Sequence, residues 1–449
     1  MLILAENTYL GELLNDKRGS EKDWQAVSTP INQYFLNHAT KMIDTINGTP
    51  FTIQFVIAKL RDAGINGGCL PKNLIDFDVK DITNGSAFMS HIYKLTFHWK
   101  SDIGLPLSLI LKVPGVANAN EFASKALQEG TNLSVSKDSL DLPQDQVGTE
   151  MFLEAAHSKE ILFYQLFSSY DKSIGLKMPT FYYGFEYSRK HTNGLIIMED
   201  MTPVAVTTKM IPGFNDQQVL AVVSELARFH SASWIHPDWT ETISNGPIPQ
   251  SFIDHTIELT SALKQIKPEW FHKLVDAVMP CFTIEWTEAI VYNSDKYGFP
   301  PSLVHGDLWA SNVLWQKDEQ NNATSEVAAI IDWQMVHAGN PAEDLARLLC
   351  INTSGEYRRK NTKRILQHYT EKVNEFLGKQ LFTLDQIMDA YNHALPFITL
   401  QTGFGAPMYY NMDSVVGTGA DRDSNRLELL SRTRMVFEDA LDFLSSHNS

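Results

Sequence analysis

The stretch VHGDLWASNVLW, Val304 to Trp315, sets an acid and an amide, Asp307 and Asn312, five positions apart (312 − 307 = 5) between two short apolar, β-prone runs. A carboxylate at Asp307 can accept or orient the proton of an attacking hydroxyl. The amide oxygen of Asn312 is a hard, neutral ligand of the kind Mg²⁺ takes. Twenty positions on (332 − 312 = 20), the apolar run AAII ends in Asp332. A carboxylate there suits a cation that keeps the rest of its ligands as water and phosphate. Acid, amide and second acid together are the parts of phosphoryl transfer, in which positioning and charge neutralisation carry most of the catalysis. Alone, Asp-x-x-x-x-Asn is common, and an Asp after a strand is more often a turn former or a cap. The joint pattern with IIDWQMVHAGNPAEDLARLL is the informative one.

The elements that must position these residues fall into two textures. The first half carries strand signals: LIDFDVKDI (74–82), HIYKLTFHW (91–99), LSLILKV (107–113), TFYYGFEY and GLIIMEDM. In 91–99, Tyr93, Leu95, Phe97 and Trp99 share one face. Between the strands, EMFLEAAHSKEILFYQLF (150–167) has helical spacing, and TIQFVIAKLRDAGI (52–65) predicts a further N-terminal helix. After Met201 helices dominate. Asn215 with Gln218 predicts a capping box opening a helix over 215–234. Helical patterns recur at 343–351, 359–377, 384–395 and 425–445, and only SLV, NVLW and VAAIIDW read as strands. The polar stretch 116–149 reads as a surface loop, and 316–326 as a hairpin tip. Strands followed by helices predict an α+β fold: residues 1–73 as a helical extension, 74–200 as a strand-rich lobe, 201–449 as a helix-rich lobe.

Composition narrows the function. Of 449 residues, 37 are Lys or Arg and 53 are Asp or Glu, a net charge of −16. That balance disfavours a nucleic-acid surface, which needs basic residues in excess. Cys69, Cys281 and Cys350 are far apart and form no CxxC pair, so neither a disulfide scaffold nor a structural zinc site is expected. The apolar run at the N-terminus is too short for a signal peptide, and no run approaches a membrane span. The reading is a cytoplasmic protein with no nucleic-acid or membrane partner, its sequons at Asn47 and Asn352 without glycan.

The block VHGDLWASNVLW, IIDWQ, GNPAEDLARLL and the later YRRK resembles the CHK kinase-like, or ecdysteroid-kinase-like, family. This family lies in the aminoglycoside/choline-kinase-like branch of the protein-kinase-like fold, and the resemblance is strongest to its nematode members. It spans about 75 to 445 and implies a bilobal fold binding ATP and Mg²⁺. It further implies Asp307 as catalytic base, with Asn312 and Asp332 as metal ligands. Lys112 would grip the nucleotide phosphates, with Glu160 as its partner and Glu154 the second choice. The Glu199 carbonyl and the Met201 amide would face the adenine. Asp344 would brace the catalytic loop and His305 would anchor it. His230, on an apolar helix face, reads as a satisfied core histidine. The phosphate loop would lie in ITNGSAFMSHIY, around Gly85 and Ser86, although a single glycine departs from G-x-G-x-x-G.

Gly306 stands where protein kinases usually carry Arg, and Asp332 to Asp344 is only 12 positions (344 − 332 = 12). That leaves no room for a long activation segment. A small-molecule hydroxyl acceptor follows, steroid-like, glycosidic or choline-like. Trp309, Trp333, Phe404, Met408, Tyr409 and Tyr410 are candidates to shape its pocket. A nucleotide-binding pseudokinase scaffold is the alternative, and a protein kinase a third reading.

Overall fold

The computed structural model describes residues 45–65, 73–83, 89–101, 104–115, 146–170, 174–190, 192–246, 248–292 and 295–447. The chain forms two compact units, residues 1–77 with 98–105 and residues 78–97 with 106–449.

In the first unit, helix α1 (Ile53–Asp62) buries Ile53, Val56, Ile57 and Leu60, one stripe at helical spacing. The Thr52 side chain accepts the Phe55 amide and caps its start.

Strands β1 (Leu74–Asp81), β2 (Ser90–Trp99), β3 (Ser108–Pro114), β4 (Phe181–Phe185) and β5 (Leu195–Glu199) form a five-stranded sheet in the order β1-β2-β3-β5-β4. Strand β3 pairs antiparallel with both β2 and β5, which sets Lys112 opposite Ile92 and Ile196. Helix α2 (Gln146–Ser169) buries Ile161, Phe163 and Tyr164, and the Tyr164 ring stacks on Phe181 of β4. Helix and strand approach closely at Gly184, where a Cβ would meet Ile161 Cγ2 at 2.7 Å. The surface loop expected over 116–149 does not extend to 149, because helix α2 begins at Gln146; residues 116–145 lie outside the described residues.

The remainder is helix-rich. Strand β6 (Ala205–Val206) is followed by α3 (Asp216–Ile235), whose Asn215–Gln218 capping box is present. Helices α4 (Gln250–Ile266), α5 (Pro268–Val278) and α6 (Ile284–Val291) come next. Then come β7 (Ser302–Val304), β8 (Val313–Lys317), β9 (Ala323–Ile330) and β10 (His337–Gly339). Helices α7 (Ala342–Asn352), α8 (Gly355–Leu377), α9 (Leu384–Tyr409), α10 (Asp413–Val416) and α11 (Arg422–His447) complete the chain. The fold is α+β, strands first and helices after, as the sequence texture predicts. Three helices between 250 and 291 are not among the expected elements, although Pro268–Val278 buries Phe271, Val275 and Val278 on one face; nor are β6 and β10, which are only two and three residues long. Helix α9 runs past the expected end at 395 and through Pro396 and Pro407, because its buried face, including Ile398, Leu400 and Met408, continues into the core. Among the described residues no helix is long and apolar enough to cross a membrane.

Candidate active site

The loop from β7 to β8 holds the acid and the amide. Its entry is fixed by Asp344, fully buried on the first turn of α7. One oxygen of Asp344 accepts the His305 amide at 2.8 Å and His230 Nε2 at 3.2 Å; the other accepts the Gly306 amide at 3.0 Å. Burial works against the charge on Asp344, but His230, His305 and the amide hydrogen bonds hold its carboxyl below the ordinary range. Gly306 has φ +79°, and a Cβ there would lie 2.8 Å from the Met335 carbonyl oxygen, so only glycine fits. This gives a steric reason for the missing arginine at that position.

His305 ties the loop to the segment carrying Asp332. Its Nε2 donates to the Ile331 carbonyl at 3.0 Å, and its Nδ1 accepts the Asp307 amide at 3.2 Å. The Asn312 side chain donates to the Asp307 carbonyl at 2.8 Å, closing the loop on itself. The Asn312 carbonyl accepts the Ile331 amide at 3.0 Å, so the β8–β9 hairpin sets Asn312 beside Asp332. Asp332 takes φ +66°, a left-handed conformation that Asp tolerates better than most residues.

Lys112 reaches across from β3. Its Nζ lies 2.5 Å from Glu160 Oε2 and 2.5 Å from Asp332 Oδ1. Burial disfavours the ammonium, but Asp332 and then Glu160 hold it charged well above the ordinary lysine value. Two acids share one cation. Burial, and the like charge of Asp332, push Glu160 up to about 7 against the pull of Lys112. Glu160 Oε1 is buried with no hydrogen-bond partner. Glu154, the other candidate, is paired with Arg189 at 2.8 Å.

Asp307 Oδ1 accepts Arg347 Nη2 at 2.7 Å. Arg347 stands three positions after Asp344 on α7, almost fully buried, and its Nη1 donates to Gln401 at 3.1 Å. Asp307 itself stays partly open, its side chain 27% exposed. The arrangement thus presents an accessible carboxylate held by one oxygen, an amide whose backbone pairs with the residue before a second carboxylate, and a lysine bridged to that carboxylate.

The model of a protein family described as "DUF1679: Uncharacterized oxidoreductase dhs-27" matches residues 76–445. The chain belongs to the DUF1679 family. It is 27% identical over 395 residues to "Uncharacterized kinase-like protein D1044.1" of Caenorhabditis elegans, covering 86% of this chain and 99% of that one. It is also 27% identical over 307 residues to "Uncharacterized oxidoreductase dhs-27" of the same organism, covering 64% of this chain and 35% of that longer protein. Among solved structures it is similar to choline kinase from Cryptosporidium parvum, with TM-score 0.48, 11% identity and coverage of 88% of this chain and 99% of that one. It is similar as well to Plasmodium vivax ethanolamine kinase, with TM-score 0.41, 12% identity and coverage of 91% and 95%.

In this DUF1679 member the remaining candidate residues are dispersed. Glu199 ends β5, and its side chain accepts the amide and hydroxyl of Thr180. The Met201 carbonyl accepts the amides of Val204 and Ala205. Asp200 between them is more than a linker charge. Asp200 is buried, with Lys94 at 2.7 Å, Ser108 at 2.6 Å and the Thr202 amide at 2.8 Å, and so locks the turn after β5. Burial raises its carboxyl, but Lys94, Ser108 and Thr202 outweigh that and lower it.

Among the aromatic candidates, Trp309 stacks on Tyr409 with ring centres 5.8 Å apart. Burial and Asp307, opposed by Arg347, push the Tyr409 phenol up to about 12. Trp333 does not join them. Its ring is buried, stacked on Phe163 at 3.9 Å and beside His305, and so packs the core behind the site. Tyr410 lies under the Arg426 guanidinium at 4.6 Å, and Phe404 near Phe252 and His255. Gly85 and Ser86 lie outside the described residues.

Proposed function

We propose that this chain is an ATP- and Mg²⁺-dependent phosphotransferase that moves the γ-phosphate to a hydroxyl of a small molecule, and that within the DUF1679 family it is a CHK-like kinase. The observation that carries the reading is Lys112 bridged to both Glu160 and Asp332, next to a braced loop that presents Asp307 and Asn312. Burying a lysine between two acids is costly, and a nucleotide phosphate to bind would give that arrangement a use.

The donor set fits the metal. One carboxylate, Asp332, and one amide oxygen, Asn312, are hard ligands for a cation that takes its other positions from phosphate and water. Bound there, Mg²⁺ would neutralise charge on the phosphates. Asp332 and Asn312 would hold it, and Lys112 would take the nucleotide phosphates while Glu160 keeps the ammonium extended. The Glu199 carbonyl and Met201 amide would meet the adenine, and Gly85 and Ser86 the phosphates. Asp307 would accept the hydroxyl proton on Oδ2, the oxygen that Arg347 leaves free. Asp344 and His305 act by fixing the loop. Residues 74–200 would form the nucleotide lobe and 201–449 the catalytic and acceptor lobe, after an extension over 1–73.

The reading is tested by calorimetry with Mg²⁺ and a non-hydrolysable ATP analogue, followed by transfer from ATP to a pool of hydroxylated metabolites. Binding and transfer support it. Binding without transfer to any acceptor points to the pseudokinase.

A further inference from the structure

Resting on that phosphotransferase reading, we propose that Arg347 is a positioning and specificity residue that makes the acceptor side of the site select hydroxyl compounds carrying no positive charge. The catalytic acid is the natural counter-ion for a cationic acceptor, but here Asp307 is already paired. Arg347 Nη2 lies 2.7 Å from Asp307 Oδ1, and the guanidinium is only 7% exposed while the carboxylate is 27% exposed. The arginine is therefore built into the wall of the site behind the acid.

The surroundings keep it there. Gln401 on α9 accepts Arg347 Nη1 at 3.1 Å, while its own Nε2 lies 3.5 Å from the Gly306 carbonyl of the loop. Arg347 Nε is buried with no hydrogen-bond partner. An arginine this buried is stable only while its charge is matched, and the acid it pairs with is Asp307. The other carboxylates close by are committed elsewhere. Glu343 pairs with His337 at 3.1 Å, and Asp344 with His230 and the loop amides. Asp332 is held by Lys112.

A trialkylammonium acceptor would seek an acid beside aromatic rings. Trp309, two positions after Asp307 (309 − 307 = 2), is buried in a stack with Tyr409, and Asp307 itself is paired with Arg347. A cation placed there meets a balanced ion pair and gains no net attraction to offset its lost hydration, whereas a neutral polyol has no charge to desolvate. Arg347 also occupies one oxygen of Asp307 and so turns the other toward the acceptor hydroxyl, a matter of orientation.

The experiment measures transfer from ATP to choline, ethanolamine, inositol and glycerate by the wild-type chain, Arg347→Lys and Arg347→Gln. Binding of Mg²⁺ with the ATP analogue is measured in parallel. Wild type should phosphorylate inositol over the two cations by about tenfold or more, the scale of one lost charge–charge attraction near a protein surface. Arg347→Gln should shift that ratio toward the cations by a similar factor, and Arg347→Lys should restore it in part. A merely structural role would lower all four rates alike and leave the ratio unmoved. Wild type that prefers choline or ethanolamine overturns the inference and leaves the phosphotransferase reading standing, as does an unmoved ratio in Arg347→Gln. Nucleotide binding with no transfer to any of the four, or no binding at all, overturns the inference; absence of binding removes the parent reading with it.

Discussion

The Lys112 ammonium sits 2.5 Å from Glu160 Oε2, a contact between the middle of a sheet strand and the buried face of the helix that covers it. Asp332 Oδ1 lies at the same distance on the other side. Removing the lysine leaves two acids facing each other; removing Glu160 leaves the lysine held by Asp332 alone. Lys112→Met and Glu160→Gln should each raise the KM for ATP by roughly 10- to 100-fold, as expected for a charge-assisted hydrogen bond of about 1.5–3 kcal/mol. The double variant should lose less than the sum, because the two act as one unit. Steady-state kinetics over an ATP series checks this, and strict additivity would argue against the pairing.

Asp307→Asn should cut transfer by about 10²–10⁴-fold, the range for a general base. Nucleotide affinity should stay near that of wild type, since Asp307 contacts Arg347 rather than the Lys112 group. Single-turnover rates with calorimetry separate the two effects.

The loop's brace makes a pH-dependent expectation. Asp344 has its carboxyl held below the ordinary value of 3.8. In the folded chain it stays ionised where the unfolded chain would take up a proton, so its stabilising contribution is present above about pH 4. That contribution is lost as pH falls through the depressed value. Asp344→Asn sets an amide against amide donors and should cost about 3–5 kcal/mol, as for a broken buried charge pair. Urea unfolding of both proteins from neutral pH downward should show a constant gap that narrows only at the acid end. A gap that widens there would mean the sign is wrong.

Gly306→Ala should damage the site through backbone alone. A left-handed φ costs a side-chain-bearing residue about 1–2 kcal/mol, and the new Cβ would also press on the Met335 carbonyl. Denaturant midpoints should drop modestly while transfer falls much further, because the loop carrying Asp307 must move. A variant with normal turnover would show that the loop tolerates that shift.

The α+β layout and the Lys112–Glu160 pairing are legible in the sequence, for reasons that differ from residue to residue. Asp307, Asn312 and Asp332 stand out because polar side chains interrupt short apolar, β-prone runs. Glu160 could be preferred over Glu154 because it falls among Ile161, Phe163 and Tyr164 on the side of α2 that must pack on the sheet. Arg347 escaped notice. In AEDLARLL it reads as a solvated helix residue, and only the burial of the whole of α7 turns its charge inward. A signal was present: it follows Asp344 at i+3 and so shares the face that already carried the brace. Trp333 differs from its expectation in the other direction. Its place next to Asp332 suggested a pocket wall, yet the left-handed turn at Asp332 directs its ring against Phe163.

The central claim is the transfer of phosphate, and mass spectrometry tests it most directly. The wild-type chain and Asp307→Asn are each incubated with ATP, Mg²⁺ and an extract of hydroxylated metabolites, and species that gain one phosphate are sought. The account predicts at least one such product with wild type, absent when Mg²⁺ is chelated and strongly reduced with Asp307→Asn. A wild-type chain that binds the nucleotide but yields no phosphorylated product, or an equal yield from Asp307→Asn, would contradict it.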